Sequence, residues 1–218
     1  WPREATPLHC AELGAAMAHL HLTGASFEGH RDNNMSVSGW EKLVAATRDR
    51  ADEVTPGLSD MIVGELDHIS ANWPLDLPQG VIHADLFPDN VFFLGDRLSG
   101  LIDFYFACND ALAYDIAICI NAWCFEADAS LNITKARALL RGYAAVRPLS
   151  RAEYDALPQL ARGAALRFLL TRLYDWLNHD EAAFVRPKDP RQFLDRLRFH
   201  QQVDGPGAYG ISYEDLNG

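Results

Sequence analysis

Basic residues are scarce in this sequence. The 218-residue chain sets 19 Lys and Arg against 30 Asp and Glu, a formal net charge of −11. Such a balance repels polyphosphate backbones and anionic bilayers unless cations cluster on one face. No such cluster is visible, so neither nucleic acid nor membrane is expected as a partner, and the sequence leaves the oligomeric state open. Long apolar runs are also missing. Stretches such as Ile116 to Ile120 fall far short of the roughly 18 residues that a membrane span requires, which predicts a soluble protein. Cysteines are few and irregular (Cys10, Cys108, Cys119 and Cys124), with no C-x-x-C pair and no nearby histidine ladder of zinc-ligand type. Buried reduced thiols in a cytoplasmic setting are the expectation. Repeats and low-complexity tracts are absent, and no basic-then-apolar segment opens the chain. The first residue is Trp1 rather than Met, which predicts that an upstream portion belongs to the protein.

What is present is the composition of a globular chain, with 49% hydrophobic and 22% charged residues. Thr6-Pro7 pairs a capping residue with proline at the first helical position, and the pattern through Leu13, Met17 and Leu20 predicts a helix toward Gly24. The stretch from Gly24 to Ser38 reads as a loop. Helical spacing resumes from Gly39 to Arg50 and from Ser59 to Trp73, where Pro74 and Pro78 follow. The middle changes character: Val81-Ile82, Val91 to Leu94 and Leu98 to Phe104 are short apolar runs bounded by turn residues. Gly95-Asp96 between the last two predicts a β-hairpin. Helical patterns return over Ala111 to Phe125 and Asn132 to Ala145. The capping-box spacing Ser150-x-x-Glu153 opens a stretch read as interrupted at Pro158 and continuing to Leu177, and Asp189-Pro190 begins a last helix toward His200. The expectation is an α+β chain, mostly helical, with one small central β-hairpin.

The informative segment is His83-Ala84-Asp85-Leu86-Phe87-Pro88-Asp89-Asn90, followed after the hairpin by Ile102-Asp103-Phe104. It fits the phosphoryl-transfer spacing H-x-D-x-x-x-x-N with a second acid on the next strand. A triphosphate repels an incoming hydroxyl, so a hard cation must screen it. Mg²⁺ keeps several waters and needs few protein oxygens, which Asn90 and Asp103 would supply as metal ligands. Asp85 is then left to orient the acceptor hydroxyl and take its proton, and His83 to brace the loop. The candidate contacts to the nucleotide are Phe92 and Ile102. The plainer alternative makes Asp85 and Asn90 ordinary loop residues and Asp103 a strand-end cap. A literal G-x-G-x-x-G at Gly205 to Gly210 follows a helix and contains Pro206, so it is rejected as a phosphate loop. His19 and His21 lie two apart on a predicted helix and cannot face one metal; they are read as packing or surface residues.

The segments from Gly80 to Phe93, Gly100 to Asp110 and Tyr114 to Ala117, with Leu20-His21-x-x-Gly24 and the Leu173 to Leu177 stretch, resemble the aminoglycoside phosphotransferase-like kinases. Among these they are most similar to the bacterial homoserine kinases of that fold. The resemblance covers about Cys10 to His200. It implies a protein-kinase-like C-terminal lobe with the N-terminal lobe missing, Asp85 as catalytic base, Asn90 and Asp103 as Mg²⁺ ligands, His83 as loop brace, and Asp115 as a structural aspartate. It also implies ATP as co-substrate and a small-molecule acceptor, L-homoserine, phosphorylated for threonine synthesis. Alternatives are another alcohol, such as an aminoglycoside, choline or a sugar, or a non-catalytic scaffold lobe. Ala84 and Tyr105 stand where protein kinases carry an arginine and the glycine of D-F-G, and a helix is expected within about ten residues of Asp103, so no activation loop is expected. An amino-acid acceptor needs carboxylates or aromatics for its ammonium and donors for its carboxylate. Tyr105, Asp110, Tyr174, Asp175, Trp176 and Asn34 are the candidates. The same readings predict negligible turnover for this polypeptide alone.

Overall fold

A computed structural model describes residues 4–180 and 186–217. In chain order the elements are α1 (Pro7–Gly24), α2 (Val37–Thr47), α3 (Leu58–Asn72), β1 (Gln79–Ile82), β2 (Val91–Leu94), β3 (Arg97–Leu101), β4 (Cys108–Ala111), α4 (Leu112–Trp123), α5 (Ile133–Ala144), α6 (Arg151–Leu177), α7 (Arg191–Gln201) and α8 (Tyr213–Asn217). They form two compact units. The first comprises Trp1–Asn33, Pro74–Ala161 and Val203–Gly218, the second Asn34–Trp73 and Arg162–Gln202.

In the first unit, α1 starts where its cap demands. The Thr6 hydroxyl accepts from the His9 N–H, and the His9 ring accepts from the Thr6 N–H, satisfying orphan donors of the first turn. Glycines let α1 and α5 meet backbone to backbone. A Cβ on Gly14 would lie 2.2 Å from the Leu139 carbonyl oxygen, and one on Gly142 would lie 2.1 Å from that of Ala11. The apolar run in α4 is explained by burial on every side, since Ala113 through Ile120 are all enclosed. The hairpin predicted around Gly95-Asp96 is β2 paired antiparallel with β3, Val91 facing Leu101 and Leu94 facing Arg97.

The apolar run from Leu98 to Phe104 does not continue as strand beyond Leu101. Asp103 turns into the left-handed region at φ 60°, and residues 104–106 close a 3₁₀ turn. A second antiparallel pair, β1 with β4, joins Ile82 to Cys108 and Gln79 to Ala111. Its residues Cys108-Asn109-Asp110-Ala111 show little alternation, and long-range pairing gives them their strand geometry. Nor does Pro158 interrupt α6, which runs through it. Buried Leu157, Leu160 and Ala161 flank it, and their packing outweighs the one backbone bond proline removes. The predicted capping box opens α6, with Ser150 Oγ accepting from the Glu153 N–H and the Glu153 carboxylate accepting from the Ser150 N–H.

In the second unit, Gly163 sits where a Cβ would strike the Trp73 ring at 2.3 Å. Trp73 meets Trp40 edge to face, ring centroids 5.1 Å apart. Buried Glu65 on α3 receives the Arg162 guanidinium and the Gln201 amide. No described helix is long and apolar enough to cross a membrane. Gly205 and Gly210 flank a 3₁₀ turn over Pro206–Tyr209, and Gly207 lies within it.

Candidate active site

The loop between β1 and β2 is built around an interior carboxylate. Asp115 lies in the first turn of α4 and is wholly buried. Its Oδ2 accepts the His83 N–H at 2.8 Å and its Oδ1 the Ala84 N–H at 2.7 Å. His21, near the end of α1, places Nε2 3.1 Å from the same Oδ2. Burial pushes the Asp115 carboxyl up, but the hydrogen bonds from the His21 ring and the His83 backbone outweigh it and hold the net value below the usual carboxylate range. The positive end of the helix favours the anion as well. Ala84 adopts φ 62°, a conformation that costs a non-glycine residue about 1 kcal/mol. In this conformation two successive N–H groups converge on one carboxylate, and their bonds offset that strain.

His21 is held in turn. Its Nδ1 lies 2.8 Å from the Tyr143 hydroxyl on α5, and Arg147 donates to that oxygen at 3.1 Å. Burial raises the phenol well above its ordinary pKa, so it stays protonated. When the phenol donates to Nδ1, the ring proton sits on Nε2 and points at Asp115. The spacing of two from His19 gave no sign of this role. His21 is 94 residues from its carboxylate partner, and only its place in Leu20-His21-x-x-Gly24 marked it.

Beyond Ala84 the loop is pegged by Leu86, fully buried, whose carbonyl accepts from the Trp123 indole at 2.7 Å. This peg and a turn opened by Pro88 fold Asn90 back. Its Nδ2 donates to the Asp85 carbonyl at 2.8 Å and reaches Asp85 Oδ2 at 3.2 Å. His83, also buried, uses Nδ1 as acceptor for the Asp85 N–H at 3.3 Å and sets Nε2 3.0 Å from the Ile102 carbonyl. Those partners fix the tautomer with the proton on Nε2. Ile102 donates its own N–H to the Asn90 carbonyl at 3.0 Å. The residue just before Asp103 is therefore bonded to both His83 and Asn90, so His83, Asp85, Asn90 and Asp103 lie in one backbone-tied cluster.

The donor set fits a hard cation. Asn90 spends its amide nitrogen on Asp85, and its Oδ1 accepts no hydrogen bond from a described residue. Asp103 is exposed, with Oδ1 3.4 Å from the Tyr105 nitrogen and Oδ2 taking no bond from a described residue. One amide and one carboxylate oxygen suit an ion that keeps water and phosphate ligands. No group of three or more His, Cys, Asp or Glu among the described residues is placed to hold a metal ion. Phe92 and Ile102 are 37% and 42% exposed, leaving apolar surface beside these groups.

The acceptor candidates divide between the units. Tyr105 is 70% exposed. Asp110 is engaged, its oxygens accepting from Asn33 Nδ2 and the Ala111 N–H, each at 2.6 Å. Asn34, Tyr174, Asp175 and Trp176 belong to the second unit. Asn34 is an exposed residue whose carbonyl packs against Gly39. Tyr174 and Asp175, at the end of α6, border a cleft of about 340 Å³ with Asn178 and His179, and Trp176 borders one of about 600 Å³ with Arg186 and Pro187. Desolvation raises the Asp175 carboxyl. The four cysteines are buried free thiols, as expected.

Residues 2–149 match the phosphotransferase enzyme family, and the chain belongs to that family. A homoserine kinase of Xanthobacter autotrophicus is 64% identical over 210 residues, 96% of this chain and 65% of that protein. A homoserine kinase of Parvibaculum lavamentivorans is 63% identical over 209 residues, again 96% and 65%. The chain thus spans about 65% of the length of these curated relatives. Among solved structures, an amicoumacin kinase in complex with AMP-PNP, Ca²⁺ and Ami aligns over 99% of this chain and 66% of that one, with TM-score 0.64 and 14% identity. A choline/ethanolamine kinase family protein from Mesorhizobium loti aligns over 95% and 66%, with TM-score 0.60 and 18% identity. The fold is therefore that of the aminoglycoside phosphotransferase-like kinases, mostly helical with small antiparallel sheets, as the resemblance implied.

Proposed function

We propose that this chain is the catalytic-loop and acceptor-binding lobe of an ATP-dependent homoserine kinase, which phosphorylates the side-chain hydroxyl of L-homoserine to give O-phosphohomoserine. The observation that carries this reading is the cluster of Asp85, Asn90 and Asp103 on backbone tied by His83 and Asp115, in a chain 64% identical to a homoserine kinase. Groups that grip the triphosphate would come from the part of the protein outside this lobe. Asp85 receives the acceptor hydroxyl and takes its proton as the oxygen bonds to the γ-phosphorus and the bond to the β-phosphate oxygen breaks. Asn90 contributes by holding the Asp85 backbone and carboxylate in place. Asn90 and Asp103 would hold Mg²⁺, which when bound neutralises phosphate charge. Phe92 and Ile102 offer the apolar surface for the nucleotide. Tyr105 and Asp110, with Asn34, Tyr174, Asp175 and Trp176, are the proposed acceptor contacts. A cytoplasmic setting belongs to this reading, supported by four buried cysteines that form no disulfide among the described residues.

The test uses the full-length protein with Mg-ATP and a panel of L-homoserine, choline, an aminoglycoside and a sugar alcohol. Homoserine should show the highest kcat/KM. Turnover of another alcohol with none of homoserine would overturn the acceptor. Asp85→Asn should lower kcat by about 10²- to 10⁴-fold with the fold intact. An unchanged rate would instead favour the scaffold reading.

A further inference from the structure

The segment that carries Asp103 lies on the surface, with the Phe104 ring 4.6 Å from that of His83. Asp103 is strained at φ 60°, and the residues around it bury little: Ile102, Phe104 and Tyr105 are 42%, 46% and 70% exposed. Hydrophobic packing alone does not fix such a segment. Its near end is tied through Ile102 to His83 and Asn90. At its far end lies Arg31, from the polar loop after α1. The Arg31 Nη1 donates to the Tyr105 carbonyl at 2.6 Å and lies 3.5 Å from that of Ala107. The guanidinium carbon stands 5.9 Å from the Tyr105 ring centroid.

Arg31 is itself anchored. Its carbonyl accepts the Asn109 N–H at 2.7 Å and its N–H donates to Asn109 Oδ1 at 2.9 Å. Asp32 forms a parallel bridge to Asn109, and Asn33 donates to Asp110. Asp32 pairs with His30 at 2.8 Å, and the Arg31 fork is directed to backbone carbonyls.

We propose that Arg31 is a positioning residue for the metal-ligand segment: its guanidinium pins the Tyr105 and Ala107 carbonyls and so keeps Asp103 in the left-handed turn from which its carboxylate meets a divalent cation. This rests on the phosphoryl-transfer reading given above. Residues that orient a metal ligand without touching the metal change its affinity by about 10- to 100-fold when removed, and a solvent-exposed tie belongs at the low end of that range.

The experiment titrates Mn²⁺ into the full-length protein at fixed ADP, followed by electron paramagnetic resonance, with Mg²⁺-dependence of turnover measured in parallel. Arg31→Gln should weaken Mn²⁺ binding about tenfold and raise the Mg²⁺ concentration for half-maximal rate by a similar factor, while kcat at saturating Mg²⁺ stays within about threefold. Arg31→Lys, with one ammonium able to reach a carbonyl, should recover part of the affinity. Unchanged Mn²⁺ affinity in Arg31→Gln, or a loss that Arg31→Lys leaves fully in place, would overturn the proposal. A wild-type protein that binds Mn²⁺ yet phosphorylates no homoserine would sink the acceptor assignment and leave this inference standing.

Discussion

Two segments of the first unit solve one problem by opposite means. Each holds a non-glycine residue in the left-handed region, Ala84 at φ 62° in the loop after β1 and Asp103 at φ 60° after β3. Ala84 is buried, and its N–H ends on a carboxylate that is itself buried and bonded to His21. Asp103 lies on the surface, its neighbour Ile102 tied to the backbone and the Tyr105 carbonyl two residues further along accepting from exposed Arg31. Burial converts a hydrogen bond to charge into a firm constraint, because no water can replace the partner. The solvated tie is softer. On the proposed roles, the fixed loop positions the base and the looser segment meets a cation.

The comparison breaks most severely at Asp115. Asp115→Asn leaves two interior N–H groups and His21 facing a neutral amide, and removing one member of a buried charged network costs about 3–5 kcal/mol. Urea unfolding at pH 7 should show a loss of that order, with kcat falling too. The pH dependence has a definite sign. The folded-state value of Asp115 is depressed, so its stabilisation is complete above the ordinary carboxylate value of about 3.9 and is lost as pH falls through the folded value. The gap in stability between wild type and variant should therefore narrow as pH falls below about 3.9. A gap that persists in acid would point to a packing defect instead.

A smaller effect is expected at Tyr143. Tyr143→Phe removes the partner of His21 Nδ1 and one acceptor for Arg147, with little change of shape, and should cost about 1 kcal/mol. Nitrogen-15 NMR should show the His21 Nδ1 environment or tautomer changing, and no change there would break the proposed chain from α5 to the loop. The smallest effect belongs to the surface segment. Tyr105→Ala deletes a ring that is 70% exposed and should alter unfolding free energy by less than about 0.5 kcal/mol. A loss of 2 kcal/mol or more, on the order of a core truncation, would erase the contrast between the two segments.

The local parts of this architecture were legible in the sequence. Thr6-Pro7, Ser150-x-x-Glu153 and Gly95-Asp96 announce two helix starts and a hairpin through chemistry within four residues, and all three are present. The spacing of His83, Asp85, Asn90 and Asp103 was also readable, and the structure brings their backbones together. Elements made by distant partners were not readable. Strand β4 exists because Cys108 to Ala111 meet β1, and no alternation announces it. His21 and Arg31 owe their roles to contacts 94 and 74 residues away. Pro158 misled for the related reason that burial around it outweighs a local penalty.

The close approach of α1 and α5 has a consequence for how far the chain can vary. Gly14 lies two turns before His21 on one helix, and Gly142 immediately precedes Tyr143 on the other. Because main chain rests on main chain at both glycines, no flexible group is there to absorb an added methyl. Enlarging either residue would displace α1 bodily and carry the imidazole off its carboxylate. Two positions with no chemistry of their own thus set the tolerance on which the Asp115-anchored loop depends.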